Sequence, residues 1–522
     1  MGKPMNQEVK IKLYLLAVGL LILAFLLVRD AGKEKKEEPV KEEGPFTAEE
    51  DLEPEPEEEE PQVKLPVYNG KIRVLLKTDG FAEEVHASVQ LASDQELAVL
   101  ERAAGEETGE EASFEGRDYG SGTAFSFAWE DGQILFNGEV LADAPGCFTV
   151  GSSEGTAGIR LESVQRNTGV PVYEGSIEVW PVEGGFVLVN EVPLETYLKY
   201  VTPSEMPSRY EAEALKAQAV CARTYAYRHM QAYGYPEYEA HVDDSVRYQV
   251  YNNTGQAEST SQAVAETADQ ILTYEGQPIT AYYFSTSCGY TGNEEIWWNG
   301  SAELTPYLKG KTINEAGETL DLTDEEAFAA FIGQVNEDDF DSEISWYRWE
   351  TEVDVETLSE HLNEALGGRC QANPEAIRVK RGRNFVSRSI TSIGKIQGID
   401  VLERNEGGAV QRMLIRGSKR TIEVETEYNV RALLNAQGCE IRRHDGSTAE
   451  GGTLLPSACM VVEPVFGEDE SLTGFRFRGG GYGHGVGMSQ NGANGMAKRG
   501  KTWEEILCFF YTGVELTEIG SL

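Results

Sequence analysis

Basic residues are scarce in this sequence of 522 residues. Lysine and arginine together number 45 against 88 aspartates and glutamates, which gives a formal net charge of −43. A body this acidic repels polyanions, and the sequence contains no basic patch with interleaved aromatic residues. The composition therefore argues against nucleic acid as a partner.

Cysteine is also sparse. The seven cysteines include no C-x-x-C pair and show no regular spacing, so neither a zinc ribbon nor a disulfide scaffold is indicated. We expect most of them to be buried thiols, with one or more disulfide bridges as the open alternative. Nucleotide motifs are missing too, because the glycine-rich stretch near the C-terminus contains neither G-x-x-x-x-G-K-[ST] nor G-x-G-x-x-G.

One stretch near the N-terminus lacks charge. As a helix rising about 1.5 Å per residue, residues 13–28 almost span the hydrocarbon of a bilayer. Three lysines precede the run, which predicts a cytoplasmic N-terminus with the rest of the chain outside. Arg29 and Asp30 stand where a cleavage site would need small residues, so an uncleaved anchor is favoured over a signal peptide. The acidic, proline-containing residues 31–65 predict a disordered linker.

Short apolar runs separated by turn residues dominate residues 71–192 and return from 395 to about 465, which predicts strands and hairpins. Between 300 and 395, "DEEAFAAFIGQVN" and "TLSEHLNEAL" predict acidic helices, and "WEEILCFFYTG" predicts a short helix that ends at Gly513. The predicted fold class is α+β, with β-rich lobes around a helix-containing region.

A longer helix is predicted after residue 207. Ser208 and Glu211 have the spacing of a capping box, alanines recur at spacings of three and four, and Gly234 with Pro236 ends the pattern. This places Glu205 just ahead of the helix.

The expected pKa of Glu205 depends on two opposing effects. The positive end of the helix dipole would lower the pKa, whereas the flanking Pro203, Met206 and Pro207 would raise it by desolvation. The sequence leaves the direction open. A glutamate ahead of a helix is ordinarily structural when nothing else accompanies it.

Three further stretches concentrate unusual residues. "RGGGYGHGVGMSQNGANGMAKRG" (478–500) holds nine glycines that would let backbone groups approach a ligand closely, or would form a tight loop into a helix starting near Ser489. "ITAYYFSTSCGYTGNEEIWWNG" (279–300) combines aromatic and hydroxyl side chains suited to sugars, or is a core strand followed by a loop. "HVDDSVRYQVY" (241–251) on its own would pass for an ordinary surface segment.

Taken together, these segments resemble the motifs of the SpoIID/LytB family, to which stage II sporulation protein D belongs. The strings E-M-P, A-L-K-A-Q-A-V-x-A-R-T-Y and G-H-G-V-G-M-S-Q-x-G-A carry the resemblance, which covers roughly residues 71–514. It implies a lytic transglycosylase that cuts peptidoglycan between N-acetylmuramic acid and N-acetylglucosamine, with Glu205 catalytic. It also implies a membrane-anchored protein that acts in engulfment with a cell-wall amidase and other sporulation membrane proteins.

The resemblance also orders the chain into segments. These are a cytoplasmic stub and anchor (1–30), the linker (31–65), a β-rich N-terminal lobe (66–190), a catalytic SpoIID core (191–300), a mixed α/β region (301–395), and a β-rich segment whose glycine-rich motif closes the site (396–522). The residues expected to bind substrate are Gln218, Arg223, Tyr225, Gln249, Tyr251, Ser285, Ser287, Tyr290, Thr291, Tyr482, His484, Ser489 and Gln490.

No cofactor is expected, and one departure from the family bears on metals. Some clostridial members carry Cys and His ligands where this sequence has His241, Asp243, Asp244 and Tyr248, so no zinc is predicted, although His241 with the two carboxylates could hold a hard cation weakly. Two rival functions stay open: a LytB-like protein that modifies an autolysin without cutting glycan, and a structural envelope protein.

Overall fold

The computed structural model describes residues 65–102, 117–142, 145–166, 169–253, 255–297 and 305–521. The predicted anchor and nearly all of the predicted linker lie outside these residues. Residues 63–522 form one compact unit. Within the described ranges, none of the helices is long and apolar enough to cross a membrane.

An eleven-stranded sheet occupies the N-terminal part, as the alternating apolar runs predicted. Its strands are β1 (Lys71–Leu76), β2 (Ser88–Glu101), β3 (Asp118–Glu130), β4 (Gln133–Phe136), β5 (Glu139–Val140), β6 (Phe148–Gly151), β7 (Ile159–Leu161), β8 (Val172–Tyr173), β9 (Ser176–Val182), β10 (Gly185–Pro193) and β11 (Val242–Asp243). The order is β11-β1-β10-β9-β6-β2-β3-β4-β5, with β7 pairing with β2 and β8. Phe127 packs against Phe148 and Phe186 in its core.

Eight helices are present in the described residues. They are α1 (Leu194–Glu205), α2 (Ala212–His229), α3 (Glu258–Glu266), α4 (Glu325–Ile332), α5 (Val355–Ala372), α6 (Glu427–Leu433), α7 (Gln490–Lys498) and α8 (Trp503–Phe510). The two acidic helices appear as α4 and α5, and the predicted helices near Ser489 and in "WEEILCFFYTG" appear as α7 and α8. The mixed α+β class is confirmed.

The remaining strands form smaller sheets. They are β12 (Gln270–Tyr274), β13 (Gln277–Pro278), β14 (Tyr283–Phe284), β15 (Tyr290–Thr291), β16 (Lys311–Thr312), β17 (Trp349–Asp354), β18 (Ile377–Arg381), β19 (Asn384–Ser387), β20 (Ile396–Arg404), β21 (Val410–Gly417), β22 (Thr421–Glu425), β23 (Glu440–Arg443), β24 (Thr448–Glu450), β25 (Met460–Phe466), β26 (Leu472–Gly479), β27 (Met488–Ser489) and β28 (Glu515–Glu518). Two sheets have five strands, in the orders β24-β23-β17-β26-β25 and β19-β18-β22-β21-β20. The pair that matters for the site is β14 with β27, which run parallel.

The predicted capping box of the alanine-rich helix is wrong. Helix α2 begins at Ala212, its N-cap is Glu211, and no side chain caps it. The main-chain N–H of Glu211, which Ser208 would have bound, donates instead to Oδ1 of Asn494 in α7 at 2.9 Å. A contact from a distant part of the chain has replaced the local one. The helix also ends at His229, ahead of the predicted stop at Gly234.

The cysteines agree with the expectation of buried thiols. All seven lie within the described residues and are free; Cys147, Cys221, Cys288 and Cys370 are buried, whereas Cys508 is exposed.

Candidate active site

Glu205 is the last residue of α1, a helix that the sequence did not predict, and it precedes α2 by seven positions rather than standing just ahead of it. It sits at the C-terminal end of a helix that contains Pro203. The partial negative charge at such an end raises the pKa of a carboxyl group, whereas the predicted position would have lowered it. The helix dipole and the apolar surroundings therefore act in the same direction.

Three groups from distant segments hold Glu205. The main-chain N–H of Val250 donates to Glu205 Oε1 at 2.8 Å. The hydroxyl of Tyr283 faces the same carboxyl group, and its interaction with the carboxylate lowers the pKa of Glu205. Gln490 Nε2 donates to the main-chain carbonyl of Glu205 at 2.9 Å. The side chain of Glu205 is consequently bound by the segment after β11 and faces β14, while α7 binds its main chain.

Burial raises the pKa of Glu205 to about 7, and the hydrogen bonds from Val250 and Tyr283 offset part of that shift. The residue nevertheless keeps partial exposure. A carboxyl group that is desolvated, hydrogen-bonded and still reachable can both give and take a proton near neutral pH.

A directed chain of hydrogen bonds supports Tyr283. The hydroxyl of Tyr197 donates to Gln249 Oε1 at 3.4 Å, and Gln249 Nε2 donates to the hydroxyl of Tyr283 at 3.2 Å. Because the Tyr283 oxygen accepts from Gln249, its own proton remains available to the carboxyl group of Glu205. Burial, followed by the charge of Glu205, raises the pKa of Tyr283, so the hydroxyl stays protonated. Tyr283 was not among the predicted site residues, although strand alternation would have placed it on the same side as Ser285.

The glycine-rich segment packs directly against β14. His484 Nε2 lies 2.9 Å from the carbonyl oxygen of Tyr283, and the main-chain N–H of Val486 donates to His484 Nδ1 at 3.2 Å. Nδ1 therefore accepts, and the ring proton sits on Nε2 and is donated to Tyr283. Burial lowers the pKa of His484 to about 4, so the ring is neutral.

Close approach explains the glycines of this segment. A Cβ at Gly487, whose φ is +77°, would come within 2.1 Å of the carbonyl oxygen of Tyr282. A Cβ at Gly481 would lie 2.8 Å from the carbonyl oxygen of Thr286. The loop can lie on the strand only where side chains are absent.

Aromatic side chains gather beside the same loop. The rings of Tyr282 and Trp297 are 4.8 Å apart, and Trp297 lies 5.3 Å from the ring of His484. Tyr482 is 43% exposed, and its ring packs 4.9 Å from that of Trp346. Exposed and half-buried rings of this kind offer flat apolar faces beside polar groups.

The structure sorts the other predicted site residues into three groups. Gln218, Gln249 and Gln490 are buried; Gln490 Nε2 bonds to the main chain of Glu205 and also lies 3.3 Å from Gln218 Oε1. Tyr225, Ser285, His484 and Tyr482 keep some exposure. The remaining six are at most 2% exposed and belong to the supporting framework: Arg223, Tyr251, Ser287, Tyr290, Thr291 and Ser489.

Two examples show what the framework residues do. Arg223 makes a bidentate pair with Glu195, at 2.7 and 2.8 Å, and donates further bonds to main-chain carbonyls of Val264 and Gln270. Tyr251 donates to Asn190 at 2.9 Å and packs against the ring of Tyr197. These contacts tie α2 and the large sheet to neighbouring segments and leave both side chains no surface for a substrate.

The segment after α2 carries charge networks of its own. Asp243 accepts from Tyr235 and Ser245 and lies 3.3 Å from Lys77 Nζ. Asp244 pairs with Arg166 at 2.6 Å. His241 Nδ1 accepts the main-chain N–H of Arg73 at 3.0 Å. The groups considered for a weak cation site are thus engaged with lysine, arginine and backbone partners. Among the residues the structure describes, no group of three or more His, Cys, Asp or Glu is arranged to hold a metal ion.

Comparison with known proteins defines the class. Residues 182–274 match the SpoIID family model, "Stage II sporulation protein", and residues 292–487 match "Domain of unknown function (DUF8618)". Glu205 and all of α1 and α2 fall inside the first match. The chain is therefore an α+β protein with a SpoIID domain.

Curated relatives agree with that assignment. The chain is 27% identical to stage II sporulation protein D of Bacillus amyloliquefaciens over 74% of this chain and 89% of the relative, and 28% identical to that of Bacillus subtilis (strain 168) over 63% and 76%. It is 31% identical to the amidase enhancer of Bacillus subtilis (strain 168) over 61% of this chain; the matched segment spans 40% of that protein. The resemblance to the SpoIID/LytB family is confirmed.

Proposed function

We propose that this protein is a peptidoglycan lytic transglycosylase in which Glu205 is the single general acid and base. The observation that carries the proposal is the state of that carboxyl group: it is desolvated, has a pKa raised to about 7, and accepts the N–H of Val250 beside Tyr283 while remaining partly exposed. Raised carboxyl pKa values of this kind are typical of catalytic acids.

The reaction needs one proton donor that later accepts. Protonated Glu205 gives its proton to the oxygen that bridges N-acetylmuramic acid and N-acetylglucosamine, and the glycosidic C–O bond breaks. The carboxylate of Glu205 then removes the proton of the C6 hydroxyl of the muramic residue as that oxygen bonds to the anomeric carbon. The products are a 1,6-anhydromuramic end and a free N-acetylglucosamine end, with no water consumed and Glu205 protonated again.

The surroundings favour a mechanism with one carboxylate. Hydrolytic glycosidases ordinarily need a second carboxylate as nucleophile or base. The nearest alternatives considered from the sequence, Asp243 and Asp244, are fully buried and bound to Lys77, Arg166, Tyr235 and Ser245. An internal nucleophile from the substrate removes the need for a second free carboxylate.

Mass spectrometry of digested peptidoglycan tests the proposal. The purified protein should release fragments that end in 1,6-anhydromuramic acid. Each is about 18 mass units lighter than the hydrolytic product, because no water is added. Reducing ends would identify a hydrolase, and the absence of release from both intact and peptide-free glycan strands would contradict enzymatic activity.

A second candidate function follows from the relative named amidase enhancer, at 31% identity. On this alternative the cleft binds glycan without cutting it and increases the action of a cell-wall amidase. The two functions separate when the protein is added to peptidoglycan with and without an amidase. An enhancer raises peptide release by the amidase and forms no anhydro ends of its own, and it would do so equally well with Glu205 replaced by Gln.

The cellular setting is proposed from the sequence and the relatives. Relatives named as stage II sporulation protein D support a role in sporulation. We propose that residues 13–28 anchor the protein in the cell membrane. The N-terminus with its three lysines is then cytoplasmic, and the rest of the chain faces the cell wall. Recovery from intact cells of a soluble form beginning near residue 30 would contradict the anchor.

A further inference from the structure

A buried aspartate outside the SpoIID match connects the segment after β14 with the glycine-rich motif. Asp341 is 1% exposed and lies between α4 and β17 in the mixed α/β region. Its Oδ1 accepts the hydroxyl of Ser287 at 2.9 Å, and its Oδ2 accepts the main-chain N–H of Ser287 at 2.9 Å. Oδ2 also accepts the hydroxyl of Ser489 at 2.9 Å. One carboxylate therefore joins the turn after β14 to the start of α7.

Ser489 and the residue after it connect Asp341 to the main chain of Glu205. Ser489 is the N-cap of α7, and its hydroxyl oxygen accepts the main-chain N–H of Gly492 at 3.0 Å. The next residue, Gln490, donates to the main-chain carbonyl of Glu205 at 2.9 Å. A displacement of the α7 start therefore moves the amide that holds the end of α1.

We infer that Asp341 is a positioning residue for Glu205, acting through Ser489 and Gln490; the inference rests on the proposed function of that site. It also gives part of the 301–395 region a role, since the carboxylate that joins the two segments comes from there. Asp341 touches neither Glu205 nor the cleft, so its effect on the reaction is entirely geometric. A small misplacement of a catalytic group can cost up to about 10²-fold in rate.

The chain offers a matched control two residues away. Asp339 is 2% exposed, and both of its carboxylate oxygens are also hydrogen-bonded. Its partners are the side chains of Asn314, Asn336 and Tyr347. Neither of its carboxylate oxygens bonds to α7. Replacing either aspartate with asparagine makes the same change of charge in the same loop, so a general loss of stability appears in both variants.

The first experiment compares Asp341→Asn with Asp339→Asn in the full chain. Asp341→Asn should lower kcat for anhydro-end formation by about tenfold with little change in KM. Asp339→Asn should keep kcat close to the wild-type value at a temperature where both are folded. Equal losses of kcat in the two variants, or a change confined to KM, would overturn the inference.

The second experiment does not depend on catalysis. Hydrogen exchange followed by mass spectrometry reports the N–H of Gly492, which is bonded to Ser489. Asp341→Asn and Ser489→Ala should each speed exchange in peptides covering 484–492, and the double variant should match Ser489→Ala because the two residues act in series. Unchanged exchange in Asp341→Asn, or fully additive effects, would overturn the positioning role. If the wild type cuts no glycan, the proposed function fails while this exchange result still decides the inference.

Discussion

Gln490 Nε2 donates a hydrogen bond of 2.9 Å to the main-chain carbonyl of Glu205, although 285 residues separate them. The bond joins the first residue of α7 to the last residue of α1. The glycine-rich motif and the E-M-P motif therefore meet as parts of a single site. Because Gln490 binds the backbone, it fixes where the Glu205 side chain starts and leaves its carboxyl group free to accept the N–H of Val250.

The raised pKa of Glu205 predicts how activity depends on pH. The group acts first as an acid, so the protonated fraction limits the reaction, and kcat/KM should fall as pH rises through about 7. A rate profile measured from pH 5 to 9 on purified glycan strands checks this. A profile that is flat up to pH 9 would contradict the assignment of Glu205 as the acid.

The raised pKa of Glu205 also predicts that the stability of the folded protein falls as pH rises. The folded state binds the Glu205 proton more tightly than the unfolded chain does, because its pKa rises from 4.5 to about 7. Its contribution to stability is therefore full below about pH 4.5 and is lost as pH rises to about 7. Thermal melting of the wild type and of Glu205→Gln across this range should show a steeper decline with pH for the wild type. Parallel curves would show that Glu205 titrates normally.

Tyr283→Phe tests the role of the Tyr283 hydroxyl, which was not among the predicted site groups. Without the hydroxyl, the ionised carboxylate loses the interaction that lowers its pKa, so the pKa of Glu205 should rise and the falling limb of the pH profile should move to higher pH. The unfolding free energy should drop by about 1 kcal/mol, since Gln249 Nε2 keeps its bond to the carbonyl of Ala222. Tyr282→Phe, a change in the adjacent residue, is the control and should leave the limb in place.

Local signals explain what could be predicted of the fold. The helices α7 and α8 begin at side chains that cap them, Ser489 and Thr502, and such caps are encoded within four residues. The strands of the large sheet follow apolar alternation. The predicted capping box at Ser208 is absent because Asn494, far along the chain, accepts the main-chain N–H of Glu211 that the box required.

The site was predictable only in part, for a similar reason. The motif resemblance points to Glu205. Helix α1, which ends at Glu205, was not predicted because it contains Pro203, and proline ordinarily argues against a helix interior. Tyr283 could have been found from strand alternation with Ser285. Asp341 could not, because its partner Ser489 is 148 residues away and nothing near either residue signals the contact.

Tyr482 provides a test of substrate contact at the edge of the cleft. It is 43% exposed on the glycine-rich segment, and an aromatic face beside Trp346 suits stacking on a sugar ring. Tyr482→Ala should raise KM severalfold with kcat nearly unchanged, the pattern of lost ground-state binding. Tyr428 is 45% exposed and packs over Arg369 in α5, so Tyr428→Ala is the matched control. Equal kinetics for the two variants would remove Tyr482 from the substrate-binding residues.

Glu205→Gln tests the central assignment. Glutamine keeps the size of the side chain and can still accept the N–H of Val250, but it cannot carry a proton between the glycosidic oxygen and the C6 hydroxyl. Formation of anhydro ends should therefore fall by about 10²-fold or more while glycan binding survives. At pH 8 the melting temperature should be no lower than that of the wild type, because the variant removes a charge that burial disfavours.

The control for this variant is Glu211→Gln, the same chemical change six residues along the chain. Glu211 is exposed and its side chain caps nothing, so neither stability nor cleavage should change. Liquid chromatography with mass spectrometry of the released fragments measures both variants against the wild type. If Glu205→Gln formed anhydro ends at the wild-type rate, proton transfer would have to come from another carboxylate. Asp243 and Asp244 would be the first to examine, and because both are buried and bound to cations, the cleft would then have to open before it could act.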